Sequence, residues 1–171
     1  MNSQCELESL RDQTLQSFTG SALFEHTFAE GMSIVEETAR YLDGRGRQES
    51  RDLPRKAALL YASESMRVTT RLMQAASWLL VQRAVHEGDM RAEDAAGDRY
   101  RLGSKEICLG GASEGIEGLP LTLQDLLARS DTLYRRIARM DDVFFGKGKA
   151  SGADARTHLG KLEEAFGPLQ A

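Results

Sequence analysis

PRKAALLYASESMRVTTRLMQAASWLLVQRAVHE, residues 54–87, is the longest uninterrupted helical pattern in the chain. Apolar side chains recur in it at alternating three- and four-residue spacing, which is typical of a helix face that packs against other helices. The set on this face is Leu59, Ala62, Met66, Thr69, Met73, Ala76 and Leu80. Because only Thr69 in this set is not apolar, the pattern predicts that the face forms the core of a helical domain.

A second row of side chains lies on the opposite side of the same helix, given about 100° of rotation per residue. It is polar in its first half and apolar in its second, and consists of Arg67, Arg71, Gln74, Trp78, Val81 and Val85. Large exposed apolar patches mark interfaces, and two-fold pairing is the commonest way to bury a self-complementary patch. We therefore predict a homodimer with its interface at Trp78, Val81 and Val85.

Two further helices follow from the same spacing. One begins after Ser21, a suitable N-cap, and is stopped by Gly44 and Gly46, while the other runs from about Thr122 to Phe145. At 1.5 Å per residue the central helix spans about 51 Å, against about 33 Å and about 36 Å for its neighbours. The sequence predicts an all-α fold, an antiparallel three-helix bundle in which the long central helix overhangs the other two.

The rest of the chain is less regular. Residues 1–19 are predicted to form a flexible N-terminal arm, residues 20–145 the helical domain, and residues 146–171 a flexible tail. Within the domain, residues 90–100 suit a short helix, and the Gly-rich residues 103–118 suggest a mobile loop. The apolar stripe of the tail is short enough to fold only on contact with a partner, and its members are Leu159, Leu162, Phe166 and Leu169.

Composition narrows the range of functions. Of the 171 residues, 22 are Lys or Arg and 26 are Asp or Glu, so a net charge of -4 gives no chain-wide attraction to nucleic acid or anionic membranes. The N-terminus lacks the apolar stretch of a signal peptide, and no apolar run is long enough to span a bilayer of about 30 Å. We expect a cytoplasmic protein whose two cysteines, Cys5 and Cys108, are reduced.

Catalytic and metal-binding patterns are absent from the sequence. The three histidines, His26, His86 and His158, lie in different elements, and none follows a Glu by three residues as in di-iron bundles. The GKGKAS stretch that begins at Gly146 follows a helix rather than a strand and lacks the glycine spacing of a phosphate-binding loop. We therefore expect no enzymatic activity, no cofactor and no metal.

The polar half of the second row allows two interpretations. Arg67, Arg71 and Gln74 are either part of a solvated surface, where each charge contributes little to stability, or a surface that binds a partner. The solvated interpretation predicts that replacing either arginine by Ala costs about 0.5 kcal/mol or less.

Three stretches carry a resemblance to a known family. VEETARYLDGRGRQES at 35–50 and ESMRVTTRLMQAASWLL at 64–80 are the most specific, and LTLQDLLARSDTLYRRIARMD at 121–141 extends the match to the third helix. Together they resemble the alphaproteobacterial RcdA family, regulators of CtrA degradation. The resemblance implies a dimeric three-helix bundle without enzymatic activity that acts as an adaptor for the ClpXP protease. The implied partners are ClpXP, a CpdR-like response regulator, and cargo such as CtrA.

Two other classes of function remain open from the residues alone. A nucleic-acid-binding or scaffolding regulator would need a basic recognition helix, whereas the short stretch MRAEDAAGDRY at 90–100 has balanced charges. An enzyme with a site in the bundle would need polar groups that converge on a cavity.

Overall fold

The computed structural model describes Ser9 and residues 13–146, and all of its regular elements in this part of the chain are helices. Helix α1, Ala22–Asp43, begins at Ser21, whose hydroxyl oxygen accepts the Phe24 N–H at 3.3 Å. It ends at Gly44, whose N–H donates to the carbonyl oxygens of Arg40 and Tyr41. The predicted start and end of this helix are thereby confirmed, although Gly46 lies inside a second short helix, α2, Arg45–Arg51.

Helix α3, Arg55–Glu87, follows Pro54 and ends at Gly88, which adopts the left-handed conformation with a φ of 82°. Beyond it lie two short α-helices, α4 (Ala92–Ala95) and α5 (Lys105–Cys108), and two 3₁₀ turns, Asp98–Tyr100 and Ile116–Gly118. Helix α6, Leu121–Phe145, begins after Pro120. Proline is favoured at both helix starts because its missing N–H would have no intrahelical partner there.

The three long helices, α1, α3 and α6, pack against one another. Contacts place Glu30 against Arg136 and Glu37 against Arg129, so α1 and α6 run in opposite directions. Gly20, just before α1, lies beside His86, and Gly31 lies beside Leu79, so α1 and α3 are also antiparallel. Helices α3 and α6 are therefore parallel, whereas the predicted antiparallel three-helix bundle would have these two consecutive long helices antiparallel.

Residues 89–120, which we call the return segment, explain this parallel pair. The segment is long enough to run back along α3, and its contacts follow that path. Gly103 meets Gln74, Cys108 meets Arg71, Gly111 meets Arg67 and Ser113 meets Glu64, in steadily descending order along α3. These contacts hold the Gly-rich residues 103–118, which were predicted as a mobile loop, against α3.

The buried face of α3 is not the one predicted. Leu59, Met66, Met73 and Leu80 are 67%, 72%, 63% and 52% exposed, so the heptad row predicted to be core lies on the outside. The buried face instead carries Tyr61, Glu64, Val68, Arg71, Leu72, Ala75, Trp78, Leu79, Gln82 and Val85. Both faces have helical apolar spacing, and packing partners cover the one with the more polar residues.

Residues 13–19, the last part of the predicted N-terminal arm, are helical. Leu15 is buried in the core, and the Phe18 ring lies 5.6 Å from that of Phe24 and 5.3 Å from that of Phe144. These contacts join residues 13–19 to the end of the domain where α1 begins and α6 ends.

Candidate protein-binding surfaces

The outer face of α3 is an exposed apolar strip, which we call the outer seam. It consists of the predicted heptad row, Leu59, Ala62, Met66, Thr69, Met73, Ala76 and Leu80. The four large side chains recur every seven residues, and the three small ones lie between them. This alternation of large and small side chains matches the knobs and holes of paired helices.

The centre of the outer seam contains a shallow depression of about 230 Å³ between Met66 and the next turn. Its polar members are Ser65, Thr69 and Thr70. Their hydroxyls donate to carbonyl oxygens one turn earlier in α3, at 2.7, 2.9 and 2.8 Å respectively. Because these donors are already satisfied, the threonines can present their methyl groups, and an apolar partner can cover the depression without leaving a donor unpaired.

The opposite face of α3 holds the return segment through buried charges. Glu64 is fully buried, accepts a hydrogen bond from the Ser113 hydroxyl, and lies 3.4 Å from the Arg67 guanidinium. Arg67 in turn donates to the carbonyl oxygen of Gly111 at 2.9 Å. A buried carboxylate is stable only with such partners, so these contacts fix the Gly-rich backbone against the helix.

Arg71 extends this network deeper into the core. It is 4% exposed, donates to the carbonyl oxygens of Cys108 at 2.8 Å and Leu127 at 3.2 Å, and pairs with Asp131 at 2.8 Å. Burial lowers the pKa of Arg71, and the nearby Asp131 carboxylate opposes that shift. Both sequence interpretations, a solvated surface and a partner-binding surface, are therefore wrong for Arg71, which is an internal structural residue.

A second buried node lies at the other end of the helices. Asp141 accepts hydrogen bonds from the Trp78 indole N–H at 3.0 Å and from the Arg101 guanidinium at 2.9 Å. Trp78 is 1% exposed and Val85 is also buried, while Val81 is half-buried. The outward apolar patch on which the predicted dimer interface rested does not exist in the folded chain, because these side chains are occupied within it.

Gln74 remains at the surface beside this node. Its side-chain oxygen accepts the Gly103 N–H at 3.0 Å, so it too helps to hold the return segment. The other predicted partner-binding residues, Leu159, Leu162, Phe166 and Leu169, lie outside the described residues.

The polar groups of the core do not form a reactive constellation in the part of the chain that the structure describes. Burial raises the pKa of the Cys108 thiol and also that of Tyr134, whose hydroxyl donates to the Gly103 carbonyl oxygen at 2.6 Å. A neutral buried thiol is a poor nucleophile. Residues 13–146 contain no cluster of three or more metal-ligating side chains and no helix with the length and apolarity needed to cross a membrane.

Comparisons with known proteins identify the family to which the chain belongs. Residues 15–166 match a family described as a protein of unknown function, DUF1465. The crystal structure of RcdA from Caulobacter crescentus CB15 is similar, with 50% sequence identity and a TM-score of 0.63. The similarity covers 78% of this chain and 99% of that one. The chain belongs to the RcdA family. No match was found among the curated proteins.

Membership of the RcdA family confirms the resemblance found in the sequence. It does not by itself identify the binding surfaces of this chain, which come from the structure. Sequence reasoning missed Asp141 as the partner of Trp78 and Arg101 as the partner of Asp141. Trp78 and Asp141 are 63 residues apart, and the parallel packing of α3 and α6 that brings them together is not evident from the sequence. Sequence reasoning also missed the outward orientation of the outer seam. A signal was available, since Glu64 and Arg71 share a face with Trp78 and would require partners in the core.

Proposed function

We propose that this RcdA-family protein is a non-enzymatic adaptor that promotes ClpXP-mediated degradation of cell-cycle regulators such as CtrA. The observation that carries the proposal is the 50% identity to RcdA across 99% of that chain. The described surface agrees with this role, because its most prominent feature is an exposed apolar strip suited to another protein. The setting we propose is the cytoplasm, where the protease and its cargo would meet.

An adaptor works by raising the effective concentration of cargo at the protease, so it needs a rigid platform with separate contact surfaces. Charged side chains of α3 supply rigidity here, because Glu64, Arg67 and Arg71 form hydrogen bonds that hold the return segment along the helix. We assign the protease or a CpdR-like response regulator to one surface and cargo to another. The tail residues 159–169 stay part of this proposal as a docking segment.

We further propose that the protein is a homodimer and that the outer seam, rather than Trp78, Val81 and Val85, forms its interface. A helix that pairs with its own copy across a two-fold axis places residues on either side of the axis opposite one another. With the axis near Thr69 and Thr70, Met66 of one copy would meet Met73 of the other, and Leu59 would meet Leu80. Methionine suits such a contact because its flexible side chain adapts to shallow depressions such as the one between these turns.

The adaptor role is tested by degradation of purified CtrA by ClpXP, with and without this protein and a CpdR-like partner. We expect faster loss of CtrA only when all components are present. A variant truncated after Phe145 tests the tail in the same assay and should fold normally while delivering cargo less well. Unchanged CtrA degradation in the presence of folded, full-length protein and a CpdR-like partner would refute the adaptor proposal.

A further inference from the structure

A cleft lies beside the outer seam, between α3 and the turn that contains Asp98–Tyr100. Its walls are Gln74, Ser77, Trp78 and Val81 on one side and residues 99–101 on the other, and its volume is about 170 Å³. This is enough room for one or two side chains but not for a large cofactor.

The floor of the cleft is held by hydrogen bonds, and its charged groups are already paired with each other. Asp141, which is fully buried, accepts from the Trp78 indole and from Arg101, and the backbone N–H of Leu102 lies 3.4 Å from the same carboxylate. Arg101 also donates to the carbonyl oxygen of Phe145. Because the charges of Asp141 and Arg101 offset each other, the floor carries no net negative charge that would repel a carboxylate.

The rim of the cleft carries open hydrogen-bond donors. Arg99 stacks on the Tyr100 ring at 4.5 Å, and none of the described residues supplies a carboxylate to it. The Gln74 oxygen is taken by Gly103, which leaves its amide N–H groups to donate elsewhere. The Ser77 side chain is exposed, and its hydroxyl has no hydrogen-bond partner among residues 13–146.

We propose that this cleft binds an acidic segment of a partner protein, with a carboxylate at Arg99, Gln74 and Ser77 and an adjacent apolar side chain against the half-buried Val81. A guanidinium and an amide that both donate match the acceptor-only oxygens of a carboxylate. Stacking on Tyr100 orients the Arg99 guanidinium, which reduces the ordering needed when a ligand binds. The proposal rests on the proposed function only in assigning the acidic segment to a partner protein.

Fluorescence polarisation tests the cleft directly, without the protease. The probe is a fluorescein-labelled peptide of twelve residues with a central Asp-Glu pair flanked by leucines, and its counterpart carries Asn-Gln. We expect the full-length protein to bind the acidic peptide at least about tenfold more tightly than the amide peptide, and more weakly at higher salt. Equal binding of the two peptides would overturn the proposal.

Variants then locate the site. Arg99→Ala should weaken binding of the acidic peptide by about tenfold and Ser77→Ala by less, whereas Asp98→Asn, which removes a nearby negative charge, should not weaken it. The matched control is Arg40→Ala. Arg40 is exposed and lies in the last turn of α1, near the N-terminal end of α3 and away from the cleft. If Arg40→Ala weakens binding as much as Arg99→Ala, the attraction is general and the cleft is not the site.

Two further measurements distinguish binding by a partner from binding by this chain's own tail, and distinguish failure of the cleft from failure of the adaptor role. The tail contains Glu163 and Glu164, so tighter probe binding by the E163Q/E164Q variant would assign the cleft to this chain's own tail and overturn the partner assignment. Circular dichroism must give the same helicity for each variant. Peptide binding without any effect on CtrA degradation would leave the cleft established while refuting the adaptor role, and the reverse result would refute the cleft alone.

Discussion

The two faces of α3 differ in a way that reverses the usual amphipathic helix. The inner face, turned towards α1, α6 and the return segment, buries Glu64, Arg71 and Gln82 among its apolar residues. The outer seam exposes leucines and methionines at every seventh position. Apolar periodicity alone therefore identifies residues that share a face, whereas the remaining elements of the chain decide which face they cover.

The inner face is polar because of what packs against it. The return segment includes irregular backbone, whose carbonyl groups have no helical partner and must still be paired when they are buried. Arg71 supplies a donor to the Cys108 carbonyl group, and Arg67 supplies one to the Gly111 carbonyl group. Apolar side chains could not do this. Within the described part of the chain, no such carbonyl groups lie opposite the outer seam, as expected if its partner is itself a regular helix.

The largest expected effect concerns the outer seam. Replacing Met66 and Met73 by Glu should raise the dissociation constant of the proposed dimer by at least about 1,000-fold, because each carboxylate would be buried without a partner. Since both side chains are exposed in the single chain, the variant should keep its helicity and its melting temperature as a monomer. Size-exclusion chromatography with light scattering measures the change.

Two controls sharpen this result. Met66→Leu with Met73→Leu keeps the seam apolar and should leave the dimer intact. Val81→Glu with Val85→Glu, at two positions of the interface predicted from the sequence, should unfold the chain because Val85 lies in the core. A Met66→Glu, Met73→Glu variant that remains dimeric would place the interface elsewhere.

The next effect tests the inner face. Arg71→Ala should lower the free energy of unfolding by about 3 kcal/mol, because it removes one partner of a buried pair and the donor to the Cys108 carbonyl group. Urea denaturation followed by circular dichroism gives this value. The control is Arg129→Ala, which breaks ion pairs to Glu37 and Asp125 that are more than a third exposed and should cost about 0.5 kcal/mol or less. Similar costs for both variants would mean that Arg71 is not buried in solution.

A third prediction asks whether the return segment stays docked. In a Cys5→Ser variant, Cys108 should react with a thiol reagent about 100-fold more slowly than an unfolded control, because burial both shields the thiol and raises its pKa. The reaction is expected to be slower, because the higher pKa leaves less of the reactive thiolate at a given pH. Stopped-flow measurement with and without urea gives the ratio, and reaction at the unfolded rate would restore the mobile loop predicted from the sequence.

The sequence predicts where the helices of this protein begin and end better than it predicts which residues pack against them. Helix ends could be read from Ser21, Pro54, Gly88 and Pro120, because caps and proline act locally. The burial of Trp78 could not, because its hydrogen-bond partner Asp141 reaches it only once α6 runs parallel to α3. For the candidate binding surface, the periodicity identified the correct heptad row, but we assigned this row to the core because periodicity contains no information about which face a long connection will cover.

The smallest effect concerns the junction of α1 and α2, where the sequence suggested that Gly46 stops a helix. The structure gives this residue a packing role, because a Cβ there would lie 2.5 Å from the Tyr61 hydroxyl oxygen and 2.8 Å from the Tyr41 ring. Gly46→Ala should therefore lower the free energy of unfolding by about 2 kcal/mol through overpacking against the inner face of α3. Gly118→Ala is the matched control, since a Cβ there meets nothing within 4 Å, and it should change stability by about 0.5 kcal/mol or less. If Gly46→Ala instead stabilises the protein, as expected for glycine replaced by alanine within an unobstructed helix, the two tyrosines do not close on this position and α3 packs less tightly at its N-terminal end than described.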